Sequence, residues 1–277
     1  MRRLKIGGKR LRVRDEPEPA PDPGRGPPPL LCVHGAGMSS VVWMELLRRL
    51  PPARRVVAPD LPGHGQSESW AATAADLPTI AGYSDAVDAV RTQLGIERLV
   101  LVGHSLGGAV ALAAALQRPE KVAGLVLVNS AAALPVAPEL LALLERTLPL
   151  QDAAGGPVWA DRLPGELAEL LFSPATPKDL RERWQAVLLS ATRQTVLGDF
   201  LACRSFDVRA RLGELNLPTL LVGGTDDLLV PPHALRATAD QIAGARLQLV
   251  PDTAHLTHLE KPELFLELLT GFLRGVA

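Results

Sequence analysis

The sequence predicts an α/β protein: a mostly parallel central sheet flanked by helices, with a helical insertion after the sixth strand. Three observations carry this. Short apolar, β-branched runs alternate with helical stripes over much of the chain, and that alternation is the pattern of parallel strands joined by crossover helices. The run Leu99–Val102 passes through Gly103-His104-Ser105-Leu106-Gly107 into an alanine- and leucine-rich helix. Between Ser130 and Leu212 the strand signals vanish and leucine stripes at helical spacing replace them. The predicted layout is a core of residues 1–130 and 213–277 with a helical cap over 131–212.

The elements follow in order. Arg3–Ile6 and Arg10–Arg14 alternate with period two around Gly7-Gly8, a hairpin whose seven basic residues within the first fourteen form its solvated face. No apolar h-region follows them, so a signal peptide is not expected. Asp15 to Pro29, dense in proline, reads as an extended surface connection. Leu30–Val33 is a short strand ending in His34-Gly35-Ala36-Gly37. Val41–Leu50 reads as a helix stopped by Pro51-Pro52, and Arg55–Ala58 as the next strand, ending in a turn-rich loop from Asp60 to Ser67. Ile80, Tyr83, Val87, Val90 and Leu94 make one helical stripe closed by Gly95. Arg98–Val102 and Val122–Val128 are strands with the helix Leu106–Arg118 between them. In the insertion, Leu140, Leu141, Leu144 and Leu148 form one stripe. Thr176-Pro177 reads as an N-cap with proline at the first helical position, and Val196, Leu197, Phe200 and Leu201 form a last stripe. Strands at Thr219–Gly223 and Arg246–Val250, a helix near His233–Ile242 and a closing helix over 262–273 complete the alternation.

Charge and composition narrow the function. A formal net charge of −1 makes no case for nucleic acid or an anionic membrane surface as partner. No apolar run reaches membrane-spanning length. With only Cys32 and Cys203, and Cys32 inside a predicted buried strand, a reduced cytoplasmic protein is expected.

Gly103-x-Ser105-x-Gly107 has the spacing of a nucleophile elbow, in which a strand turns into a helix so sharply that side chains at the flanking positions would collide. The serine is lifted to the sheet tip, and the helix N-terminus faces the spot where an oxyanion forms. A serine needs a base, and the base needs an orienter. His255 follows the strand Arg246–Val250, and Asp226-Asp227 follow Thr219–Gly223, so both acids and the histidine reach the same rim. The order Ser, Asp, His differs from the chymotrypsin and subtilisin orders and matches that of the α/β hydrolases. His255 and His258 with Asp226 can also be drawn as a metal cluster, but the serine already accounts for His255, and neither metal nor cofactor is expected.

Four stretches together resemble the α/β-hydrolase superfamily: His34-Gly35 after its strand, Asp60-x-x-Gly63-x-Gly65-x-Ser67, Gly103-His104-Ser105-Leu106-Gly107-Gly108, and Ala254-His255-x-x-His258-x-Glu260-x-Pro262. The resemblance covers nearly the whole chain and is least informative over the cap. It implies Ser105 as nucleophile, His255 as base and Asp227 as acid, with the amides of Ala36 and Leu106 forming the oxyanion hole. Serine at the elbow argues against the dehalogenases and epoxide hydrolases of this fold. Asn129 after the sixth strand argues against an acid relocated there, and Leu259 replaces the tryptophan usual in the ring-cleavage C–C hydrolases.

The expected activity is hydrolysis of carboxylic esters of small to medium acyl chain through an acyl-enzyme, with a small ester or lactone and water as reactants. The nearest resemblances are small carboxylesterases, pimeloyl-ester esterases, enol-lactonases and perhydrolases. An acyltransferase, a lactonase, a C–C hydrolase, or a ligand receptor that keeps the pocket are the alternatives. Low aromatic content and the leucines of the cap imply an aliphatic pocket, with Trp43, Trp159 and Trp184 more suited to structural roles.

Overall fold

The computed structural model describes residues 1–276 apart from 17–25, 51–53, 71–76, 135, 148–164, 186–187 and 189. Eight strands form one sheet: β1 (Arg2–Ile6), β2 (Lys9–Glu16), β3 (Leu30–Val33), β4 (Val56–Pro59), β5 (Leu99–His104), β6 (Val122–Val128), β7 (Thr219–Gly224) and β8 (Arg246–Val250), in the order β1-β2-β4-β3-β5-β6-β7-β8. β1 and β2 form the expected hairpin, and β2 joins β4 antiparallel. The other five pairings are parallel. The expected fold class holds: the sheet is mostly parallel and flanked by helices, with the helical insertion after β6.

Both faces of the central strands β3 to β7 are covered, which is why these strands read as continuous apolar runs, whereas β1, β2 and β8 toward the edges alternate. In β5, Leu99 and Leu101 enter one core with α2 (Ile80–Gln93) and α3 (Leu106–Gln117). Val100 and Val102 enter the other, with α1 (Met44–Arg49) and α10 (Pro262–Leu273). α3 is buried along all of its length except Gln117. A helix so enclosed has no polar face, which explains its run of Ala, Leu and Val. Cys32 and Cys203 are buried, free thiols, and burial pushes both away from ionisation.

Among the described residues the insertion holds four helices: α4 (Pro138–Thr147), α5 (Gly165–Leu171), α6 (Lys178–Gln185) and α7 (Arg193–Arg204). Leu144, Leu167, Ala191 and Val196 form a small cluster among them. The flanks of the insertion pack elsewhere. Ala131, Ala202, Cys203 and Phe206 join the α3 side of the sheet core, and Phe172, Trp184 and Leu188 join the α10 side. The segment is therefore seated on the sheet through side chains of its own. α8 (Pro232–Ala239) follows β7, and α9 (Thr257–Glu260) lies between β8 and α10.

Several local expectations change. The helix expected over Val41–Leu50 begins as a 3₁₀ turn at Ser40–Trp43 and becomes α-helical only at Met44; its stop at Pro51-Pro52 lies outside the described residues. Thr176 donates its hydroxyl to the Glu260 carboxylate, and α6 begins at Lys178, after Pro177. The stripe on α7 is offset. Val196, Asp199, Ala202 and Cys203 are buried, whereas Leu201 is exposed. Leu148, Trp159 and most of the stretch from Asp15 to Pro29 fall outside the described residues.

Candidate active site

The strand register sets the site. Val33 pairs with Gly103, Gly103 with Leu127, and Val128 with Val222, so β3, β5, β6 and β7 end near one level. Gly224 pairs with Val250, which brings β8 to the same rim. The loops after these strands carry Ala36, Ser105, Asn129, Asp227 and His255.

Ser105 sits at φ 52°, ψ −119°, a left-handed conformation that costs a non-glycine residue roughly 1–3 kcal/mol and persists only when its surroundings hold it. Here its N–H donates to the Val128 carbonyl at 2.9 Å, and its carbonyl takes the Ser130 hydroxyl at 2.8 Å and the Gly108 amide at 2.8 Å. The flanking glycines have separate reasons. A Cβ on Gly103 would land on the Gly107 carbonyl across the turn, as expected. A Cβ on Gly107 would instead strike the Val33 carbonyl, so that glycine brings the helix against the end of β3.

His255 is 3% exposed, and its Nδ1 lies 2.9 Å from Asp227 Oδ2 and 3.1 Å from Oδ1. Asp227 is itself saturated. Oδ1 accepts the amides of Leu229 at 2.9 Å and Val230 at 3.0 Å, and Oδ2 accepts the Asn129 side-chain amide at 2.9 Å. Four donors on one buried carboxylate keep it an acceptor, so the imidazole presents Nδ1–H to it and leaves Nε2 free to take a proton. Asp226 turns away: its Oδ2 accepts the Ser173 hydroxyl at 2.6 Å and its Oδ1 the Thr225 hydroxyl at 2.9 Å. Of the two adjacent acids, the structure brings Asp227 to the imidazole.

The histidine loop is braced from below. Glu260 Oε1 accepts the Ala254 amide at 2.9 Å, and Oε2 accepts the Ser173 amide at 2.9 Å. The His255 carbonyl accepts His104 Nε2–H at 2.8 Å, which fixes the His104 tautomer. Burial, with His258 and His255 nearby, holds His104 well below the ordinary histidine range. His258 is stacked on Trp43 at 4.7 Å, and burial, then His255, pushes it down to about 3. Both rings are neutral packing elements. Among the described residues no cluster of side chains has the composition of a metal site.

Ser105, His255 and Ala36 line one partly open cavity, about 500 Å³ with the solvent space at its opening included. Leu106, fully buried, opens α3 directly after the serine. The remaining described wall is apolar, drawn from Met38 and Leu229 of the sheet loops and from Leu140, Leu144, Leu167, Leu170, Leu171, Val196 and Phe200 of the insertion. Trp43 and Trp184 are core residues and take no part in it.

The sequence reading missed two sets of residues here. Asn129, used there only to exclude an acid, donates to Asp227 Oδ2 and to the Ala254 carbonyl, both at 2.9 Å. The signal was a polar residue directly after a wholly apolar strand at the functional rim. The second set is Tyr83, His64 and Asp199, which meet behind the Ala36 loop.

A sequence-family profile for the α/β hydrolase fold matches residues 28–262, and the chain belongs to that family. It is similar to the putative carbamate hydrolase RutD of Agrobacterium fabrum, at 30% identity over 250 residues covering 89% of this chain and 93% of that protein. It is also similar to the 2-hydroxymuconate semialdehyde hydrolase of a Pseudomonas species, at 32% over 269 residues, 88% of this chain and 86% of that one. Among solved structures, a thermophilic esterase from Thermogutta terrifontis superposes with a TM-score of 0.81 at 27% identity, covering 99% of this chain and 98% of that one. These relatives are named as two different hydrolases and an esterase. No helix among the described residues is long and apolar enough to cross a membrane.

Proposed function

We propose that the protein is a serine hydrolase of carboxylic esters with neutral, small to medium aliphatic acyl groups, acting through an acyl-enzyme. One observation carries the reading: a serine held at positive φ and a histidine bound through Nδ1 to a saturated carboxylate face a single apolar cavity. Ser105 Oγ attacks the acyl carbon while His255 Nε2 takes its proton. Asp227 holds the tautomer and stabilises the imidazolium that forms. The amides of Ala36 and Leu106 receive the oxyanion, supported by the N-terminal end of α3. His255 then gives the proton to the leaving alcohol, and water repeats the sequence to release the acid. No step draws on a cofactor.

The insertion serves as the cap. Seven of the cavity residues come from α4, α5 and α7, all aliphatic or aromatic, and no described lining residue is charged. Burying acyl methylenes against that wall is worth about 0.8 kcal/mol each, whereas a charged acyl group would lose its hydration without a partner.

The test is a panel of p-nitrophenyl esters from acetyl to dodecanoyl, with matched lactones, carbamates and half-esters of dicarboxylic acids. The reading expects kcat/KM to rise into the medium-chain esters and to be poor for the half-esters. Faster turnover of a carbamate or a charged acyl ester would move the assignment to that bond or substrate.

A further inference from the structure

The polar network behind the Ala36 loop has no part in the proton transfers above, yet it is wholly buried. Asp199, on α7 of the insertion, accepts the Gly37 amide and His64 Nε2–H on Oδ2, each at 2.8 Å, and the Tyr83 hydroxyl on Oδ1 at 2.6 Å. His64 Nδ1 faces the Pro62 carbonyl at 3.0 Å. Nδ1 points at a carbonyl that has no proton to give and Nε2 at the Asp199 carboxylate, so opposite an ionised Asp199 the ring carries both N–H groups and is an imidazolium. Asp199, with three donors converging on it, is the matching carboxylate. Burial is the largest influence and works against the charged ring, but Asp199, the Pro62 carbonyl and Asp60 together outweigh it and raise the His64 pKa. Neighbouring His34 is the opposite case: its Nε2 accepts the Leu61 amide at 3.0 Å, so it is neutral, and burial with the His64 charge pushes it down to about 4.

The position of Gly37 gives this pair its consequence. Gly37 follows Ala36, and both its backbone groups are held by the insertion: the amide by Asp199 and the carbonyl by the Ser190 amide at 2.8 Å. Peptide planes are rigid, so fixing the Gly37 amide fixes the plane next to the Ala36 amide. α7 also carries Val196 and Phe200 into the cavity wall.

We propose that Asp199 is a positioning residue that, paired with the His64 imidazolium, sets the oxyanion loop from the acyl-binding helix. The inference rests on the serine-hydrolase reading above. It assigns the insertion a second task, since the helix that meets the acyl chain also holds the loop that receives the oxyanion. An oxyanion donor acts only on the transition state, so loosening the loop should lower kcat and leave KM nearly unchanged.

The test uses the full chain with Asp199→Ala and Asp199→Asn. Loss of an oxyanion donor costs about 10²–10³ in kcat. Asp199→Ala is expected to lose about 100-fold in kcat with KM within about threefold. Asp199→Asn, whose amide oxygen can still take the Gly37 N–H, should recover about tenfold of that. Binding of an alkyl boronic acid, which forms a tetrahedral adduct on the serine, should weaken in parallel with kcat/KM. If the alanine variant fails to fold, the asparagine variant carries the kinetic arm alone, with a kcat loss of about tenfold.

A second arm does not depend on activity. Histidine-ring ¹⁵N spectra, followed upward in pH from the ordinary histidine value, should show His64 doubly protonated in the parent where it is already neutral in Asp199→Asn. A neutral His64 in the parent overturns the ion pair. Folded Asp199 variants with parental kcat and boronate affinity overturn the positioning role while leaving the serine hydrolase intact. A parent that hydrolyses no ester and takes no fluorophosphonate at Ser105 overturns the hydrolase reading, and the role of the loop with it.

Discussion

The Asn129 side-chain amide donates to Asp227 Oδ2 at 2.9 Å, on the same carboxylate oxygen that meets His255 Nδ1. The same amide nitrogen donates to the Ala254 carbonyl, one residue before the histidine. Asn129 thus ties the acid loop to the base loop. It does so from φ 48°, a conformation asparagine tolerates better than most residues. Asn129→Ala should lower kcat about tenfold and stability by about 1–3 kcal/mol, since buried hydrogen-bonding groups lose their partner. Steady-state kinetics and urea melts check both. Unchanged kcat would mean that the backbone amides alone hold Asp227.

The adjacent acids should separate in kinetics as they do in space. Asp227→Asn places an amide N–H where the imidazole needs an acceptor and favours the wrong tautomer. A comparable change in a serine protease cost roughly 10⁴-fold in kcat. Asp226→Asn keeps an acceptor for the Ser173 hydroxyl and should cost less than about tenfold. The double variants with Ser105→Ala should show little further loss from Asp227→Asn, because residues acting as a unit are not additive. A damaging Asp226→Asn beside a mild Asp227→Asn would reverse the assignment.

Stability should fall on both sides of neutrality. Unfolded histidines titrate near ~6.5. His34 and His258 are kept neutral in the fold down to about 4 and about 3, and His104 is also depressed. As pH falls below ~6.5 the unfolded chain takes up protons that the fold refuses, at a cost of about 1.4 kcal/mol per pH unit for each ring. His64, facing Asp199, Asp60, His34 and Tyr83, is shifted upward, so its contribution is complete below ~6.5 and is lost as pH rises through its folded value. Urea midpoints at pH 5, 7 and 9 should be highest near 7. His258→Phe, which gives up no hydrogen bond, should flatten the acid limb by about one proton. An unchanged acid slope in that variant would contradict the account.

Val196 and Phe200 form one wall of the cavity. Val196→Phe should cut kcat/KM for hexanoyl esters by about tenfold while sparing acetyl esters, because the added ring takes the volume of two or three methylenes. A chain-length profile of the variant matching the parent would place the acyl group elsewhere.

Most of the fold was legible because both faces of the central strands are buried. β5, β6 and β7 are apolar at nearly every position, and their ends are marked by glycine or polar residues. The places of Ser105 and His255 at one rim of the sheet were legible from the strands they follow, whereas the choice of Asp227 over Asp226 came from the family resemblance. What escaped was polar chemistry inside apolar periodicity. Asp199 lies between Gly198 and Phe200 on a helix whose leucines drew the stripe toward Leu197 and Leu201, and nothing local says that its partner is His64, 135 positions away. The 3₁₀ start of α1 and the use of the Thr176 hydroxyl by Glu260 were hidden for the same reason: tertiary partners decided them.

The central claim is that Ser105 becomes acylated. The direct measurement is peptide-mapping mass spectrometry of the parent and Ser105→Ala after brief exposure to a p-nitrophenyl hexanoate excess at mildly acidic pH, where deacylation is slow, with a fluorophosphonate run in parallel. The account predicts one hexanoyl adduct and one phosphonyl adduct per chain in the parent, both on the peptide carrying Ser105, and neither in the variant. Adducts on another residue, or ester turnover that survives Ser105→Ala, would contradict it.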